Sequence, residues 1–151
     1  MQYNNRLRSI GILILLTALL PSVSFAQQVV VMPHHGSDTL TINRQNCYTI
    51  LDPGGFSNYS NNEDSWLFIV STSGPFRLKV NYQTGVNADC NDFVRIYYGS
   101  DTNNYNRQYC GSGSATWQSH DYWWRHPDTC ALIHFHSNNY ASFRGYEIEV
   151  E

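Results

Sequence analysis

The sequence has few charged residues and little helical periodicity. Lys, Arg, Asp and Glu together make up 14% of its 151 residues, and no apolar stripe recurs at three- and four-residue spacing over more than two turns. There are nine basic and twelve acidic side chains, whereas proteins that bind nucleic acid cluster Lys and Arg. We therefore expect no helical fold and no nucleic-acid partner.

The sequence also lacks the short motifs of the common enzyme classes. It contains no GxSxG, no glycine-rich phosphate loop after a strand and no HExxH. A cysteine that is held in a disulfide cannot act as a thiolate nucleophile. We therefore expect a protein that is not an enzyme.

Long hydrophobic runs are absent except for one near the N-terminus. This run, Ile10 to Leu20, follows Arg6 and Arg8 and precedes a small-residue site that ends at Ala26, the arrangement of a signal peptide over residues 1–26. A bilayer requires roughly twenty apolar residues, so the run is too short to span one. We expect an exported protein without a membrane span, secreted or extracellular, or periplasmic in a bacterium.

Removal of the predicted signal peptide leaves one domain. The remaining 125 residues are enough for a single hydrophobic core. Both arginines of the signal are lost with it, which leaves seven basic and twelve acidic side chains and a formal charge of −5.

Four cysteines remain in this domain, Cys47, Cys90, Cys110 and Cys130. An even number of cysteines in an exported chain predicts two disulfides. A zinc site is the alternative, but its cysteines usually come in close CxxC pairs, and none is present. Four cysteines allow three connectivities, which the residues alone do not distinguish.

Short alternating segments predict an all-β fold. Phe76 to Tyr82, Val94 to Tyr98 and Tyr146 to Val150 alternate apolar and polar residues, as in strands with one buried face. Frequent turn signals, such as the DPGG that begins at Asp52, favour an antiparallel jelly-roll-type β-sandwich. We expect residues 27–38 to be a loose lead-in. Further short runs bounded by Gly, Pro, Asn or Asp are Thr39 to Ile42, Tyr48 to Leu51, Trp66 to Val70 and Ala131 to Phe135.

Several motifs follow one another in a recognisable order: DPGGFSNYSNNEDSWLFI, DCNDFVRIYYG, YCG, ALIHFHSNN and FRGYEIEV. In this order the chain resembles the CUB domain, over residues 39–151. The resemblance implies a jelly-roll β-sandwich with a Cys90–Cys110 disulfide, and with it a Cys47–Cys130 disulfide. The chain departs from the family at Asp64, where many members have a cysteine, and Cys130 supplies the partner instead. Reduced Cys47 and Cys130 are the alternative.

The resemblance also implies a calcium site, because many CUB domains bind the ion through three loop acids. Here Asp92 keeps its acid, but Thr84 occupies the place of the glutamate and Asn138 that of the second aspartate. Asn138 still offers a carbonyl oxygen, and Asp89 is close in sequence, so the predicted ligands are Asp92, Asp89 and Asn138. The alternative is structural, with Asp92 accepting hydrogen bonds from backbone amides and Asp89 shaping an Asx turn.

Two histidines, His134 and His136, alternate along one predicted strand and therefore point to the same side. Such a pair can bind a transition metal or zinc when a third ligand is near, but the sequence does not locate one. The alternative is that both are half-exposed polar positions opposite buried Ile133 and Phe135.

The segment HDYWWRHPD contains the second candidate surface, Tyr122, Trp123, Trp124 and Arg125. In an extended segment these rings cannot all face the core, and outward aromatic residues beside Arg are typical of protein hot spots and sugar-stacking platforms.

We expect a non-catalytic module that binds an extracellular protein, as the resemblance to the CUB domain implies. The alternatives are a small carbohydrate-binding module of jelly-roll type and a structural surface or matrix component.

Overall fold

The computed structural model describes residues 26–84, 90–118, 129–140 and 142–151. These residues form strands and no helix, which confirms the predicted all-β class. In chain order the strands are β1 (Gln27–Val31), β2 (His35–Ile42), β3 (Cys47–Leu51), β4 (Asp64–Ser71), β5 (Arg77–Gln83), β6 (Phe93–Tyr98), β7 (Arg107–Tyr109), β8 (Ser112–Gln118), β9 (Cys130–His136) and β10 (Gly145–Val150).

The strands are arranged in two five-stranded sheets. The first sheet has the order β1-β3-β10-β5-β8, and the second has the order β2-β4-β9-β6-β7. Strands pair antiparallel except at one edge of each sheet, where β1 runs parallel to β3 and β2 runs parallel to β4. The predicted sandwich is confirmed, with two parallel pairs that the sequence pattern did not indicate.

Alternating side chains of the central strands fill the space between the sheets. Burial alternates along the whole of β4, from exposed Asp64 to buried Ser71. Because successive side chains of a strand point to opposite faces, half of each strand packs inside and half lies on an outer face. Each aliphatic side chain that is fully buried contributes about 2 kcal/mol relative to exposure. The fully buried core side chains include Ile50, Ile69, Leu78, Val80, Ile96, Ile133, Phe135 and Ile148.

Residues 27–38 contain edge strands instead of the loose lead-in that we expected. Gln27 of β1 lies opposite Cys47, and His35 of β2 lies opposite Asp64. Most side chains of this segment are exposed, so the sequence shows none of the apolar alternation that predicts a strand. Pairing with the neighbouring strands holds most of the segment in place, while Met32, between β1 and β2, is buried in the core.

One disulfide is present among the described residues, and it joins Cys90 to Cys110 with a Cα separation of 5.2 Å. The expected bond between Cys47 and Cys130 is absent, which corrects the predicted number from two to one. Cys47 is exposed at the start of β3 in the first sheet, whereas Cys130 begins β9 in the second. The exposed side chain of Cys47 does not lie between the sheets, where a bond from one sheet to the other would form.

Within the described residues, no helix has the length and hydrophobicity needed to cross a membrane. The predicted signal peptide lies outside the described residues except for Ala26, so it stays a prediction.

Candidate functional site

Asp92 is buried where three loops meet at one end of the sandwich. Its Oδ2 accepts a hydrogen bond of 2.5 Å from the hydroxyl of Tyr59, and its Oδ1 accepts one of 2.7 Å from the backbone N–H of Asn138. The same hydroxyl lies 3.3 Å from the carbonyl oxygen of Thr84. One carboxylate thus connects the β3–β4 loop, the β9–β10 loop and the start of β6.

Tyr59 is the central donor of this arrangement. Its ring packs edge-on against Phe135 with the centroids 5.0 Å apart, and it also contacts Phe143. Burial raises the pKa of Tyr59, and the hydrogen bond to Asp92 and the charge of Asp92 raise it further. The hydroxyl therefore stays protonated and continues to donate at any physiological pH.

Asp52 fixes the start of the β3–β4 loop. Its Oδ1 accepts a hydrogen bond of 2.7 Å from the N–H of Gly54, and its Oδ2 accepts one of 3.0 Å from the N–H of Tyr146. Gly145 has φ 81°, and a methyl group there would overlap the Asp52 carboxylate, so only glycine fits. Burial raises the pKa of Asp52 to about 6, although the two backbone hydrogen bonds act in the opposite direction.

The β3–β4 and β9–β10 loops, which together we call the rim, are hydrogen-bonded to each other. The N–H of Asn62 donates to the carbonyl of Asn138 at 2.9 Å, and the N–H of Tyr59 donates to the carbonyl of Phe143 at 3.0 Å. Side chains add further links, such as Asn61 Nδ2 to the carbonyl of Asn139 at 3.2 Å. The two loops therefore present one continuous surface.

Two aromatic side chains project from the rim. Phe56 in the β3–β4 loop is 73% exposed, and Tyr140 in the β9–β10 loop is 87% exposed. The N–H of Tyr140 donates to Oδ1 of Asn138 at 2.8 Å, which holds the backbone of the loop tip. The rim thus combines a fixed base with exposed aromatic groups.

The structure brings the predicted calcium ligands together only in part. Asp92 and Asn138 are in contact, but through the backbone N–H of Asn138, whose side-chain oxygen accepts from Tyr140 instead. Thr84, at the place of the family's glutamate, is buried, and its hydroxyl has no hydrogen-bond partner in the part of the chain that the structure describes. The described residues offer two kinds of oxygen donor: the carboxylate of Asp92, which already accepts two hydrogen bonds, and the side-chain amide oxygen of Asn138. These donors do not fit a tight calcium site.

Two predicted elements lie outside the described residues. They are Asp89, the third predicted calcium ligand, and the aromatic surface of Tyr122, Trp123, Trp124 and Arg125. Their roles stay predictions.

A second group of ligating side chains lies on the outer face of the second sheet. Asp64 of β4 is directly opposite His136 of β9, and His134 is two residues away on the same face. Nε2 of His134 is 2.6 Å from Oδ1 of Asp64, and Nδ1 of His136 is 3.9 Å from the same oxygen. One ligand atom from each residue lies within 4.8 Å of the others. The structure therefore supplies the third ligand that the sequence did not locate.

Aromatic rings surround the two imidazoles. His134 stacks on Trp66 with the centroids 3.6 Å apart, and His136 stacks on Phe93 at 5.2 Å. The expectation of two half-exposed histidines is wrong for His134, which is only 8% exposed, while the side chain of His136 is 40% exposed. Burial lowers the pKa of His134 and outweighs the upward effect of Asp64. The His134 imidazole is therefore uncharged at neutral pH.

Arg95 of β6 places a positive charge beside this cluster, opposite His134. Its guanidinium lies 3.9 Å from the ring centroid of Phe93 and 4.6 Å from that of Tyr105, and its Nε donates to Oε1 of Gln108 at 2.6 Å. These contacts hold the guanidinium against aromatic rings.

Glu63 is a buried acid that no sequence pattern indicated. Its Oε1 lies 2.8 Å from Nδ1 of His34, in the connection between β1 and β2. Its backbone N–H donates to the hydroxyl of Ser137, and its carbonyl accepts from the N–H of Ser137. Glu63 therefore joins the β1–β2 connection to the rim.

Solved structures similar to this one include CUB domains. The CUB1-EGF-CUB2 region of human MASP-1/3 matches 76% of this chain with a TM-score of 0.59 and 17% identity, and the chain spans 40% of that structure's length. The MASP-1 CUB2 domain bound to Ca²⁺ matches 70% of this chain and 91% of its own, with a TM-score of 0.54 and 17% identity. The full extracellular region of zebrafish Gpr126/Adgrg6 matches 77% of this chain and 15% of its own, with a TM-score of 0.55 and 15% identity. The chain has a CUB-like fold.

The CUB-like fold confirms the resemblance that the sequence motifs indicated. No protein-family model matches the sequence, and neither does any curated protein. At this level of identity a shared fold does not determine function. The function of this CUB-like chain must be argued from its own residues.

Proposed function

We propose that the protein is a secreted, non-catalytic CUB-like module that binds an extracellular protein through its rim. The observation that carries the proposal is the Asp92 carboxylate, which ties the loops together through Tyr59 and the N–H of Asn138. A surface that is ordered before binding loses less conformational entropy on association. The two loops of the rim, which Asp92 holds in place, are therefore suited to binding a partner.

Phe56 and Tyr140 are the proposed anchors on the rim, because both are largely exposed. Aromatic side chains supply much of the binding energy at protein interfaces. We include Tyr122, Trp123, Trp124 and Arg125 in the proposed contact surface on the strength of their composition. The likeness to the extracellular region of Gpr126/Adgrg6 supports an extracellular setting.

Binding to a panel of extracellular protein domains tests this proposal. For a partner that the wild type binds, we expect Tyr140→Ala to weaken the affinity at least about tenfold, as for a hot-spot residue. Tyr105→Ala is the matched control, because Tyr105 is exposed on the outer face of the second sheet, and we expect it to bind as the wild type does. Equal binding by both variants would mean that the rim is not the contact surface.

Calcium binding at the rim, with low affinity, is a separate proposal. The MASP-1 CUB2 domain binds Ca²⁺, but here Asp92 and the amide oxygen of Asn138 are the described donors at the corresponding place. We expect thermal unfolding to shift only at millimolar calcium, because affinity rises with the number of carboxylates. A shift at micromolar calcium that Asp92→Asn abolishes would contradict the expected weakness.

Carbohydrate binding is the second candidate function, and a cleft on the first sheet favours it. The cleft has a volume of about 290 Å³ and is lined by exposed Phe56 together with Asn81, Gln83, Arg144 and Glu147. An aromatic ring beside amide and charged groups is a common platform for a sugar. A glycan array tests it: binding that Phe56→Ala abolishes would support this function over protein binding. Silence on both the glycan and the protein panel would leave a structural surface component.

A further inference from the structure

We propose that Asp64, His134 and His136 form a binding site for a divalent transition metal ion, for which zinc is the best match. Two imidazoles and one carboxylate form a donor set that zinc accepts in proteins, whereas calcium takes oxygen ligands. The three residues lie on the outer face of the second sheet, and none of them belongs to the Asp92 rim. The inference therefore does not depend on the proposed partner binding.

One ligand atom from each residue lies within 4.8 Å of the others, a spread that side-chain rotation can bring to the separations that zinc requires. Zinc bonds of about 2.0–2.1 Å in tetrahedral geometry place ligand atoms about 3.3 Å apart. Oδ1 of Asp64 lies 2.6 Å from Nε2 of His134 and 3.9 Å from Nδ1 of His136. The side chains of Asp64 and His136 are 58% and 40% exposed, so both have room to adjust around an ion that enters from solvent.

The backbone around the cluster belongs to the second sheet. All three ligands project from paired strands, β4 and β9, rather than from loops. The ring of His134 lies flat against Trp66, and the ring of His136 lies against Phe93. Sites that are built on strands and held by packed rings keep their geometry better than sites on loops.

The local charges favour moderate affinity. The carboxylate of Asp64 neutralises part of the charge of a divalent ion, while Arg95, opposite His134, acts against it. Three protein ligands leave one coordination position for water or for a donor from another molecule. We therefore expect a site of micromolar affinity with one exchangeable position.

Metal titration of the purified chain, prepared without a histidine tag, tests the site. Calorimetry with zinc is expected to give one ion per chain, and cobalt is expected to give the visible absorption of a nitrogen- and oxygen-ligated ion. His136→Ala and Asp64→Asn should each lower zinc affinity at least about tenfold. Even the loss of a group that only hydrogen-bonds to a metal ligand lowers metal affinity by about that factor. Denaturation without metal, compared with the wild type, shows whether each variant stays folded.

Two matched variants control for other metal ligands in the chain. Asp38→Asn removes an exposed acid of β2 outside the cluster, and Cys47→Ser removes an exposed thiol on the first sheet. Both should bind zinc as the wild type does. The proposal is overturned if the wild type binds no zinc at micromolar concentration, or if His136→Ala and Asp64→Asn retain its affinity.

Discussion

Asp92 and Asp64 lie at the same end of the sandwich, but their carboxylates have different surroundings. Asp92 is buried, and the fold supplies a donor to each of its oxygens. The side chain of Asp64 is 58% exposed, and one of its oxygens lies near two imidazoles. The donors that the fold places around an acid, more than its charge or its position in the chain, decide whether the acid supports structure or remains able to bind a ligand.

Replacement of Asp92 should have the largest effect. Asp92→Ala leaves the N–H of Asn138 without its acceptor and leaves the hydroxyl of Tyr59 only the carbonyl of Thr84, at 3.3 Å, and the loss of a buried partner costs about 1–3 kcal/mol. We expect the free energy of unfolding to fall by about 4 kcal/mol in urea denaturation. The exposed acid Asp38 is the control, and Asp38→Ala should stay within about 0.5 kcal/mol of the wild type. A loss below about 1 kcal/mol for Asp92→Ala would remove the structural role that we assign to it.

Asp52 is buried like Asp92 and accepts two backbone hydrogen bonds. Its effect on the free energy of unfolding should depend on pH. Its pKa is about 6 in the folded protein, against an ordinary value of 3.8. Between these two values the folded state binds more protons than the unfolded state, so the free energy of unfolding falls as pH rises. The shift corresponds to about 3 kcal/mol.

Unfolding of the wild type and of Asp52→Asn should be compared from acidic to neutral pH, since other groups titrate equally in both proteins. We expect the stability of the wild type relative to the variant to decrease by about 3 kcal/mol over that range. Parallel pH profiles would show that Asp52 keeps an ordinary pKa.

Tyr59→Phe isolates one hydrogen bond of the Asp92 arrangement. The ring keeps its contact with Phe135, while the carboxylate loses one donor. We expect a loss of about 2 kcal/mol, the usual value for a hydrogen bond to a charged group. The exposed Tyr140 is the control, and Tyr140→Phe should leave the urea midpoint unchanged. Equal midpoints for both variants would mean that Asp92 does not depend on Tyr59.

Asp64→Asn should have the smallest effect on stability. The side chain is largely exposed, and an amide can still accept the hydrogen bond from His134. We expect a change within about 0.5 kcal/mol in metal-free denaturation. A loss above about 1 kcal/mol would make Asp64 structural like Asp92, and the contrast between the two acids would disappear.

The strands that could be predicted are those with one apolar and one polar face and those that form short apolar runs between turn residues. The alternation from Phe76 to Tyr82 and from Tyr146 to Val150 corresponds to β5 and β10 within one residue. β1 and β8 were not predicted, because their described side chains are mostly exposed and lack an apolar alternation. Their positions follow from pairing with β3 and β5, which is a property of the assembled sheet.

Residues of the candidate site could be predicted only where a local sequence pattern identified them. Asp92 was identified from its family motif, and the two histidines from their alternation. Asp64 was not identified as a ligand, because it lies 70 residues from His134 in sequence. Only the register of β4 against β9 brings the two together, and no hairpin turn joins these two strands to indicate that register in the sequence. The one available clue was that Asp64 lies two residues before Trp66, so that both side chains point to the same outer face.

The strand order has a consequence for the sequence of events during folding. Among the described residues, β9 and β10 follow the other eight strands along the chain, and each occupies the centre of its sheet. Before they emerge, β3 has no contact with β5 and β4 has none with β6, so neither sheet can be completed. Until then only the pairs β1–β3, β2–β4, β5–β8 and β6–β7 can form. Completion of both sheets therefore depends on contacts between distant parts of the chain, which slow folding and prolong exposure to aggregation and to chaperones.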